Sequence, residues 1–460
     1  MFTESKFTVI VGAGPTGLTL ARQLARHGVP FRIVERSPDP FTGSRGKGLQ
    51  PRTLEVLDDL GLAGRFRAAG SDYPALLAHL PGGGTHEFRL DETHAPTPAV
   101  PWPNMLMLPQ WRTCELLADG VPVEFGTGLT GLTPIDGGVR ITLDSGETVD
   151  ARHVVGADGG RSTVRKLAGI GFEGETHEDE RMLIADVRLT GLGSDHWHVW
   201  PGEGRAFRLG LCPLPGGDWF QLTAPPSPLS PAALVAAVDP SITVTEVGWT
   251  SEYRASMRMA SRFRSGDVFL AGDAAHVHSP AGGQGLNTGI QDAYNLGWKI
   301  ATGSPAVLDT YEEERLPVAA SVLGISTRLH DRHVAGDDDA MRRDDPVLRQ
   351  LSLNYRGASL SAEHRPSPGP VRAGDRAPDA PLNAGDRLFD RLRGPHATLL
   401  TFGWTETLPD LPIPVHHVPE AAPIYETTGP TLLLIRPDNY IGCATHEVAD
   451  ILTYLRRLSL

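Results

Sequence analysis

The residues with the clearest chemical potential are acids that follow short apolar runs and lie beside clusters of glycines. The apolar run Phe7 to Val11 leads into Gly12-Ala13-Gly14-Pro15-Thr16-Gly17, and Glu35 ends the next apolar run about twenty residues later. Glycines at this spacing allow a tight turn, a close approach of the backbone to a pyrophosphate, and close packing of a helix on a strand. An acid at this distance can hold the hydroxyls of a ribose. The segment therefore predicts a dinucleotide site.

Asp273 lies in a similar setting near the middle of the chain. The run Val268 to Ala271 predicts a buried parallel strand, which places Asp273 at the strand end where open α/β sheets bind ligands. The stretch 281–287 offers three glycines before apolar residues recur at helical spacing. It predicts an anion cradle that opens a helix. A surface turn before an amphipathic helix is the alternative interpretation.

A third acid, Asp158, precedes two glycines at the end of the apolar run that starts at Val154. Arg165 follows one turn into the next predicted helix. An acid and an arginine in this arrangement can hold ribose and pyrophosphate groups from a second side. The alternative is that Asp158 only caps the helix that follows it.

Composition limits the class of protein that the chain can be. A length of 460 residues suits two or three domains, and 40% hydrophobic with 21% charged residues is typical of a globular protein. A formal charge of -13 argues against nucleic acid as a partner. We expect no membrane span and a cytoplasmic location, because apolar runs are short and the N-terminus lacks the apolar core of a signal peptide. The cysteines are far apart, so we expect neither a metal site nor a disulfide.

The order of predicted elements indicates an α/β fold: a Rossmann-like dinucleotide-binding domain, an inserted and mostly antiparallel sheet, and a further C-terminal domain. Strand-like runs with aromatic residues and glycine or proline turns occupy the inserted part, and Pro366 to Pro381 reads as linker. The predicted boundaries are 1–180 for the first part of the dinucleotide-binding domain, with 71–108 covering the substrate, 181–264 for the substrate sheet, 265–335 for the second part of the dinucleotide-binding domain, 336–380 for a linker, and 381–460 for the C-terminal domain.

The motifs resemble those of FAD-dependent aromatic hydroxylases, the p-hydroxybenzoate hydroxylase-like group A flavoprotein monooxygenases. GDAAHVHSPAGGQGLN, around Asp273, is similar to the second flavin motif of that family. SRGKGLQPRTLE, from Ser44 to Glu55, is similar to its S-R-x-x-x-L-x-x-R-[TS]-x-E segment, and the Asp158 turn is similar to its D-G motif. The C-terminal part resembles the thioredoxin-like tail of aromatic polyketide and antibiotic hydroxylases, here without C-x-x-C, for which packing or a possible homodimer is the expected use.

The resemblance implies a set of site residues. Pro280 and Arg45 are the catalytic candidates, and Arg52 is a weaker cofactor candidate. His276 and His278 could transfer protons, although such histidines more often hold a turn. The residues expected to bind cofactor are Gly12, Gly14, Thr16, Gly17, Glu35, Arg36, Arg45, Gln110, Arg112, Leu129, Asp158, Arg165, Asp273, Pro280, Gly283, Gly285, Leu286 and Asn287, with Arg165 directed at the nicotinamide phosphate.

Two departures from the family pattern accompany the resemblance. Cys114 stands where the family commonly has an acid, and the helix after Pro109 is short, which could open that flank of the site without removing the flavin.

The implied activity is a monooxygenase that binds FAD, consumes NADPH or NADH, and takes molecular oxygen and a small aromatic substrate. Oxygen transfer from a flavin C4a-hydroperoxide would hydroxylate a polycyclic, polyketide-like or antibiotic-like ring. This chemistry belongs to the cofactor, so the chain needs no nucleophile triad and no metal. Two alternatives stay open. One is insertion of oxygen beside a ketone by the same flavin species, and the other is a binding protein with the flavin fold but no redox activity.

Overall fold

The computed structural model describes residues 7–202, 207–279, 283–334, 345–427 and 429–459. The strands, numbered in chain order, are β1 (Thr8–Val11), β2 (Phe31–Glu35), β3 (Gly48–Leu49), β4 (Ala75–His79), β5 (Thr85–Phe88), β6 (Leu106–Met107), β7 (Val123–Phe125), β8 (Leu129–Ile135), β9 (Gly138–Leu143), β10 (Thr148–Ala151), β11 (His153–Gly156), β12 (Phe172–Thr190), β13 (His196–Pro201), β14 (Phe207–Pro213), β15 (Trp219–Ala224), β16 (Thr243–Ala260), β17 (Arg264–Ser265), β18 (Val268–Leu270), β19 (His276–Val277), β20 (Ala362–Glu363), β21 (Thr398–Phe402), β22 (Val415–His417), β23 (Thr431–Ile435) and β24 (Ile441–Thr445).

The α-helices are α1 (Pro15–Arg26), α2 (Pro51–Asp59), α3 (Ala63–Ala69), α4 (Gln110–Ala118), α5 (Thr163–Leu167), α6 (Pro231–Val238), α7 (Gly285–Thr302), α8 (Pro305–Val334), α9 (Leu388–Leu392), α10 (Ala422–Tyr425) and α11 (Val448–Arg457). Within the described ranges, none of the helices combines the length and the apolar character needed to cross a membrane.

A mostly parallel sheet forms the centre of the mixed α/β fold. Its strand order is β17-β18-β11-β1-β2-β7, and every neighbouring pair except the β17 and β18 pair is parallel. The apolar run predicted at 268–271 is therefore a buried parallel strand, as its composition indicated. Because parallel strands end at the same edge, the turns after β1, β2, β11 and β18 lie side by side.

Glycines allow α1 and α7 to pack closely beside this sheet. A Cβ built on Gly289 of α7 would lie 2.4 Å from the Thr16 hydroxyl oxygen of α1, and one built on Gly297 would lie 2.5 Å from the Gln23 Cβ. Both distances are shorter than normal contacts between side chains, so larger residues would force the helices apart. This contact fixes the start of α7 relative to the glycine loop that precedes α1.

A second, mostly antiparallel sheet is connected to the central sheet through the Asp273 turn, which leads from β18 into β19. Its strand order is β19-β16-β12-β15-β14-β13-β4-β5, and the long strands β12 and β16 pair along most of their length. The segment 71–108, expected to cover the substrate, contributes the hairpin β4 and β5, and β4 joins β13 as a parallel neighbour. Since this pairing joins strands more than 100 residues apart, local sequence patterns gave no sign of it.

The C-terminal residues form a mixed sheet of order β20-β24-β23-β21-β22. Trp298 of α7 is buried in the same apolar cluster as Leu399 and Tyr454, so this part packs directly against the flavin-binding part. In the segment predicted as linker, Tyr355 and Arg376 are buried and β20 pairs with β24. Proline-rich composition indicated an extended chain here, and the extended chain packs instead of spanning solvent. The domain boundaries and the thioredoxin-like fold remain predictions.

Candidate active site

The carboxyl ends of the central strands continue their hydrogen-bond pattern into the turns that carry the predicted acids. The Ala157 amide donates to the Val11 carbonyl at 2.8 Å, and the Ala271 amide donates to the Gly156 carbonyl at 2.9 Å. These bonds align three turns that are far apart in sequence, those of Gly12, Asp158 and Asp273.

In the glycine loop before α1, two glycines have no room for a side chain and the third has room. A Cβ on Gly12, where φ is +108°, would lie 2.4 Å from the Ala157 carbonyl oxygen, and one on Gly17 would lie 1.9 Å from the Gly12 oxygen. A Cβ on Gly14 would meet no described atom within 4 Å. Gly14 is the N-cap residue of α1 and has no side chain that could accept from the first amides of the helix. Open space before a helix N-terminus fits a pyrophosphate.

Glu35 ends β2 beside this loop, as the glycine spacing predicted. Its Oε2 accepts a hydrogen bond from the Ala13 amide at 2.9 Å, which fixes the carboxylate next to the glycine loop. Arg36 is exposed and packs against Gly128, immediately before the buried Leu129 that begins β8. The three predicted residues Glu35, Arg36 and Leu129 therefore lie on one side of the loop.

Ser162 is the N-cap residue of helix α5, and the capping is supported by Asp158. The Asp158 Oδ2 accepts a hydrogen bond from the Thr163 amide at 2.6 Å, the arrangement that the helix-cap interpretation required. Arg165 is buried and donates to the carbonyls of Ala274 and Gly160, each at 2.8 Å. Arg165 therefore joins the Asp158 turn to the Asp273 turn. A contact between Arg165 and a nicotinamide phosphate stays a prediction, and it would require the guanidinium to leave these carbonyls.

Asp273 lies between the N-termini of α1 and α7, which together border the candidate cleft. It is exposed, whereas Gly272 and Ala274 on either side of it are buried. Although the residue reaches solvent, the protein packed around the turn partly desolvates the Asp273 carboxyl and raises its pKa, while the nearby charges of His276 and Arg45 act in the opposite direction. A carboxylate held in this position can accept hydrogen bonds from a ribityl or ribose hydroxyl.

The described residues before α7 form a glycine turn that leads into a helix N-terminus, and anion binding there stays a prediction. Gly283 has a φ of +63°, a conformation that glycine adopts without strain. A Cβ on Gly285 would approach the His278 ring at 3.2 Å and the Asp273 carboxylate at 3.9 Å. No side chain from the described part of the chain caps the α7 N-terminus, so its first amides can serve a negatively charged group.

The loop that carries Arg45 is clamped between α4 and α7. The Gly46 amide donates to the Gln110 side-chain oxygen at 3.1 Å, and the Leu286 side chain lies against Gly46. The Asn287 side-chain oxygen accepts from the Gln50 amide at 2.8 Å. The structure thus brings Gln110, Leu286 and Asn287 together around one loop. Since the Asn287 side chain is used by the protein, its predicted flavin contact would have to come from its backbone amide.

The other predicted residues differ in how far they approach this cleft. Arg112 forms an ion pair with Glu115 at 2.6 Å on the surface. Arg52 is buried and donates to the Asp438 carbonyl at 3.1 Å, so it joins α2 to the C-terminal part instead of facing a cofactor. Pro280 lies outside the described residues.

Arg45 is exposed, and its guanidinium lies 3.3 Å from the Ser251 hydroxyl of β16. This places the arginine between the clamped loop and the second sheet.

A buried charge cluster explains the two histidines of the GDAAHVHSP motif. His276 Nε2 lies 2.7 Å from Asp292, and the Asp292 carboxylate also accepts from Arg315 at 2.7 Å and from the Gly272 amide at 3.0 Å. His276 therefore holds the Asp273 turn against α7 and α8. Burial lowers the pKa of His278 to about 4, so this ring is neutral near pH 7. Arg315 belongs to a helical pattern that sequence analysis would treat only as scaffold.

A polar network that sequence analysis missed connects the Arg45 loop to the second sheet. Ser44 donates to Asp186, and Gln221 donates to the Ser44 hydroxyl at 2.9 Å. Lys47 donates to the Gln221 side-chain oxygen, and its Nζ lies 4.0 Å from the centre of the Trp197 ring. Burial raises the pKa of Asp186 to about 6, although the bonds from Ser44 oppose this shift.

Comparisons with known proteins agree with this geometry. A family model described as FAD binding domain matches residues 6–326. A flavin-dependent monooxygenase of Mycobacteroides abscessus is 47% identical over 98% of this chain and 99% of its own length. A rifampicin monooxygenase of Streptomyces venezuelae is 34% identical over 97% of each chain. A 6-methylpretetramide 4-monooxygenase of Streptomyces rimosus is 36% identical over 82% of this chain and 71% of its own length.

Solved structures match the whole fold. A ternary complex of aklavinone-11 hydroxylase with FAD and aklavinone gives a TM-score of 0.82 at 25% identity and covers 100% of this chain and 99% of its own. The rebeccamycin biosynthetic enzyme RebC with reduced flavin gives 0.81 at 28% identity, with 98% of each chain covered. From its motifs, its cleft and these relatives, the chain belongs to the FAD binding domain family and is an FAD-dependent monooxygenase of the aromatic hydroxylase type.

Proposed function

We propose that the protein uses NADPH or NADH, together with molecular oxygen, to hydroxylate a polycyclic aromatic compound of the polyketide or antibiotic type. The relatives named for rifampicin and 6-methylpretetramide support this substrate class. The observation that carries the proposal is the position of the clamped Arg45 loop. The loop lies between the starts of α4 and α7 on one side and Trp197 of the second sheet on the other.

The described residues fit an extended FAD. The pyrophosphate would lie at the open Gly14 position and the α1 N-terminus, and the adenosine ribose beside Glu35. Asp273 and Gln110 would face the ribityl chain, and the Arg45 loop would face the ring. When bound, FAD supplies the redox chemistry, in which reduction by the nicotinamide precedes oxygen transfer at flavin carbon 4a.

The chain itself supplies position, electrostatics and exclusion of water. Backbone amides at the start of α7 would face the negative charge that develops on the reduced ring, and such amides stabilise charge most where water is excluded. The second sheet, including the β4 and β5 hairpin, would roof the aromatic substrate. From the resemblance, the Pro280 carbonyl would lie beside the ring. NADPH or NADH would use a groove, since the further G-x-G-x-x-G strings, at 126–131 and 169–174, each lead into a strand and not into a helix.

Mass spectrometry of products tests the proposal. The FAD-loaded protein is supplied with NADPH or NADH and ¹⁸O₂, and a panel of polycyclic phenols and antibiotic-like aromatics is screened. We expect one labelled oxygen atom in a hydroxylated product, and no product when either the nicotinamide or oxygen is omitted. An ester or lactone would indicate insertion beside a ketone instead. Reduction of the flavin without any oxygenated product across the panel would contradict the proposal.

A further inference from the structure

A loop in the segment predicted as linker lies against the glycine turn that leads into α7. This loop is residues 345–350, in which a short 3-10 helix, Pro346–Arg349, ends at Gln350. Gln350 is 1% exposed, and its backbone has a φ of +61°. Residues other than glycine rarely adopt this left-handed conformation, and they keep it where the surrounding structure fixes it. The loop therefore presents the Gln350 side chain in one direction.

The Gln350 side chain bonds three residues in the first two turns of α7 and at its N-cap. Its nitrogen donates to the Gln284 side-chain oxygen at 2.6 Å and to the Thr288 hydroxyl at 3.3 Å. Its oxygen accepts from the Gln291 side chain at 2.6 Å. All of these residues are buried, and a hydrogen bond is stronger in such surroundings than in water. One side chain from outside the flavin motifs thus fixes the start of α7.

Gln284 belongs to the glycine turn itself, because it stands between two of its glycines. Its side-chain nitrogen donates to the Leu348 carbonyl of the 345–350 loop at 3.1 Å. Its backbone carbonyl accepts from the Thr288 hydroxyl at 3.0 Å. The Gln284 side chain therefore bonds the loop both as a donor and as an acceptor, and the position of the turn follows the position of the loop.

The 345–350 loop is anchored on its other side by Arg349. The Arg349 guanidinium donates to the His94 ring and lies 3.4 Å from the Asp91 carboxylate. Both partners belong to the segment 71–108, which was predicted to cover the substrate. The loop is thus fixed between that segment and the turn before α7.

We propose that Gln350 is a positioning residue for the flavin, and that the 345–350 loop sets where the first amides of α7 stand relative to the reduced ring. The inference rests on the proposed function, in which these amides face the negative charge of that ring. Gln350 acts through Gln284 and Thr288. Amides stabilise a charge best when they are fixed in distance and angle, so a turn released from the loop would favour the reduced ring less. The oxidised ring is neutral and depends less on these amides.

The midpoint potential of bound FAD tests the inference, because it reports the ratio of the affinities for reduced and oxidised flavin. Gln350→Gly removes the side chain and suits the left-handed backbone, whereas Gln284→Met removes the same contact from the side of the turn. Each variant should weaken the binding of reduced flavin about tenfold more than that of oxidised flavin, the lower range for one hydrogen bond to a charged group. A tenfold change lowers the two-electron midpoint potential by about 30 mV.

Anaerobic equilibration with reference dyes measures the potential, fluorescence quenching measures the dissociation constant for oxidised FAD, and urea unfolding measures stability. Glu426→Gly is the matched control, since Glu426 also has a left-handed backbone, with a φ of +50°, but is exposed in the C-terminal part. We expect its potential to equal that of the wild type.

A purely structural role for Gln350 would lower the free energy of unfolding and leave the midpoint potential unchanged. An unchanged or raised potential in Gln350→Gly would therefore overturn the inference, and Gln284→Met gives the same reading where Gln350→Gly does not fold. Failure of the proposed function is read from the absence of labelled oxygen in a product. The potential can be measured in that case too, so the two failures are distinguishable.

Discussion

Substitution of Gly14 by valine isolates the pyrophosphate site from the stability of the fold. Gly14 has ordinary extended backbone angles, with φ of -76° and ψ of -179°, and a Cβ there would meet no described atom within 4 Å. Gly14→Val should therefore leave the flavin-free protein about as stable as the wild type. The new side chain would instead occupy the space in which the pyrophosphate approaches the α1 N-terminus.

The size of the effect follows from the bonds that the side chain would displace. A hydrogen bond from a backbone amide to a charged oxygen is worth about 1.5 to 3 kcal/mol. Loss of about two such bonds at the α1 N-terminus would cost at least about 3 kcal/mol, or a factor of about 100 or more in the dissociation constant for FAD.

Quenching of flavin fluorescence on titration of the flavin-free protein measures that constant, and urea unfolding measures stability. Gly64→Val is the matched control, because a Cβ on Gly64 of α3 also meets open space but lies away from the cleft. We expect the control to bind FAD like the wild type. If Gly14→Val bound FAD with unchanged affinity, the assignment of the glycine loop to the pyrophosphate would be wrong.

Three further predictions concern the groups that shape the cleft. Asn287→Ala removes three hydrogen bonds between α7 and its neighbouring loops and should lower the free energy of unfolding by about 3 kcal/mol in urea titrations; a loss below about 0.5 kcal/mol would argue against this clamp. Arg315→Met leaves the buried Asp292 carboxylate without its arginine and should cost about 3 to 5 kcal/mol, whereas an unchanged thermal midpoint would contradict the ion-pair assignment. Burial raises the pKa of Asp186 to about 6, above the value of about 3.9 for an unfolded chain. The contribution of the protonated Asp186 carboxyl to the free energy of unfolding is therefore fully present below about pH 4 and is lost as pH rises through about 6. Asp186→Asn should therefore gain up to about 3 kcal/mol relative to the wild type between these pH values, and parallel pH profiles of the two proteins would refute the shift.

Local patterns carried the prediction of the nucleotide-binding edge. The Gly12 loop, its strand and its helix are adjacent in sequence, and so are β18 and the Asp273 turn, so composition and periodicity were enough to place them. Strand ends of a parallel sheet share one edge, which is why segments near residues 12, 158 and 273 could be expected to meet. The packing of these turns follows that expectation.

Groups that meet only through the tertiary fold could not be predicted in the same way. Ser44 and Gln221 are 177 residues apart, and neither belongs to a motif that marks it as a partner of the other. Arg165 and Asp158 were predicted to contact cofactors. In the structure the Arg165 guanidinium donates to the Ala274 carbonyl, and the Asp158 carboxylate accepts from the Thr163 amide at the start of α5. The sequence indicated the charge of these two residues. Their roles depend on which backbone carbonyls and amides lie within hydrogen-bond distance of their side chains.

A crystal structure of the protein loaded with FAD tests the central claim most directly. We expect one extended FAD, with its pyrophosphate at Gly14 and the α1 N-terminus, its ribityl chain beside Asp273, and its ring between the Arg45 loop and the second sheet. A flavin bound elsewhere, or a folded protein that takes up no FAD at saturating concentration, would contradict the account.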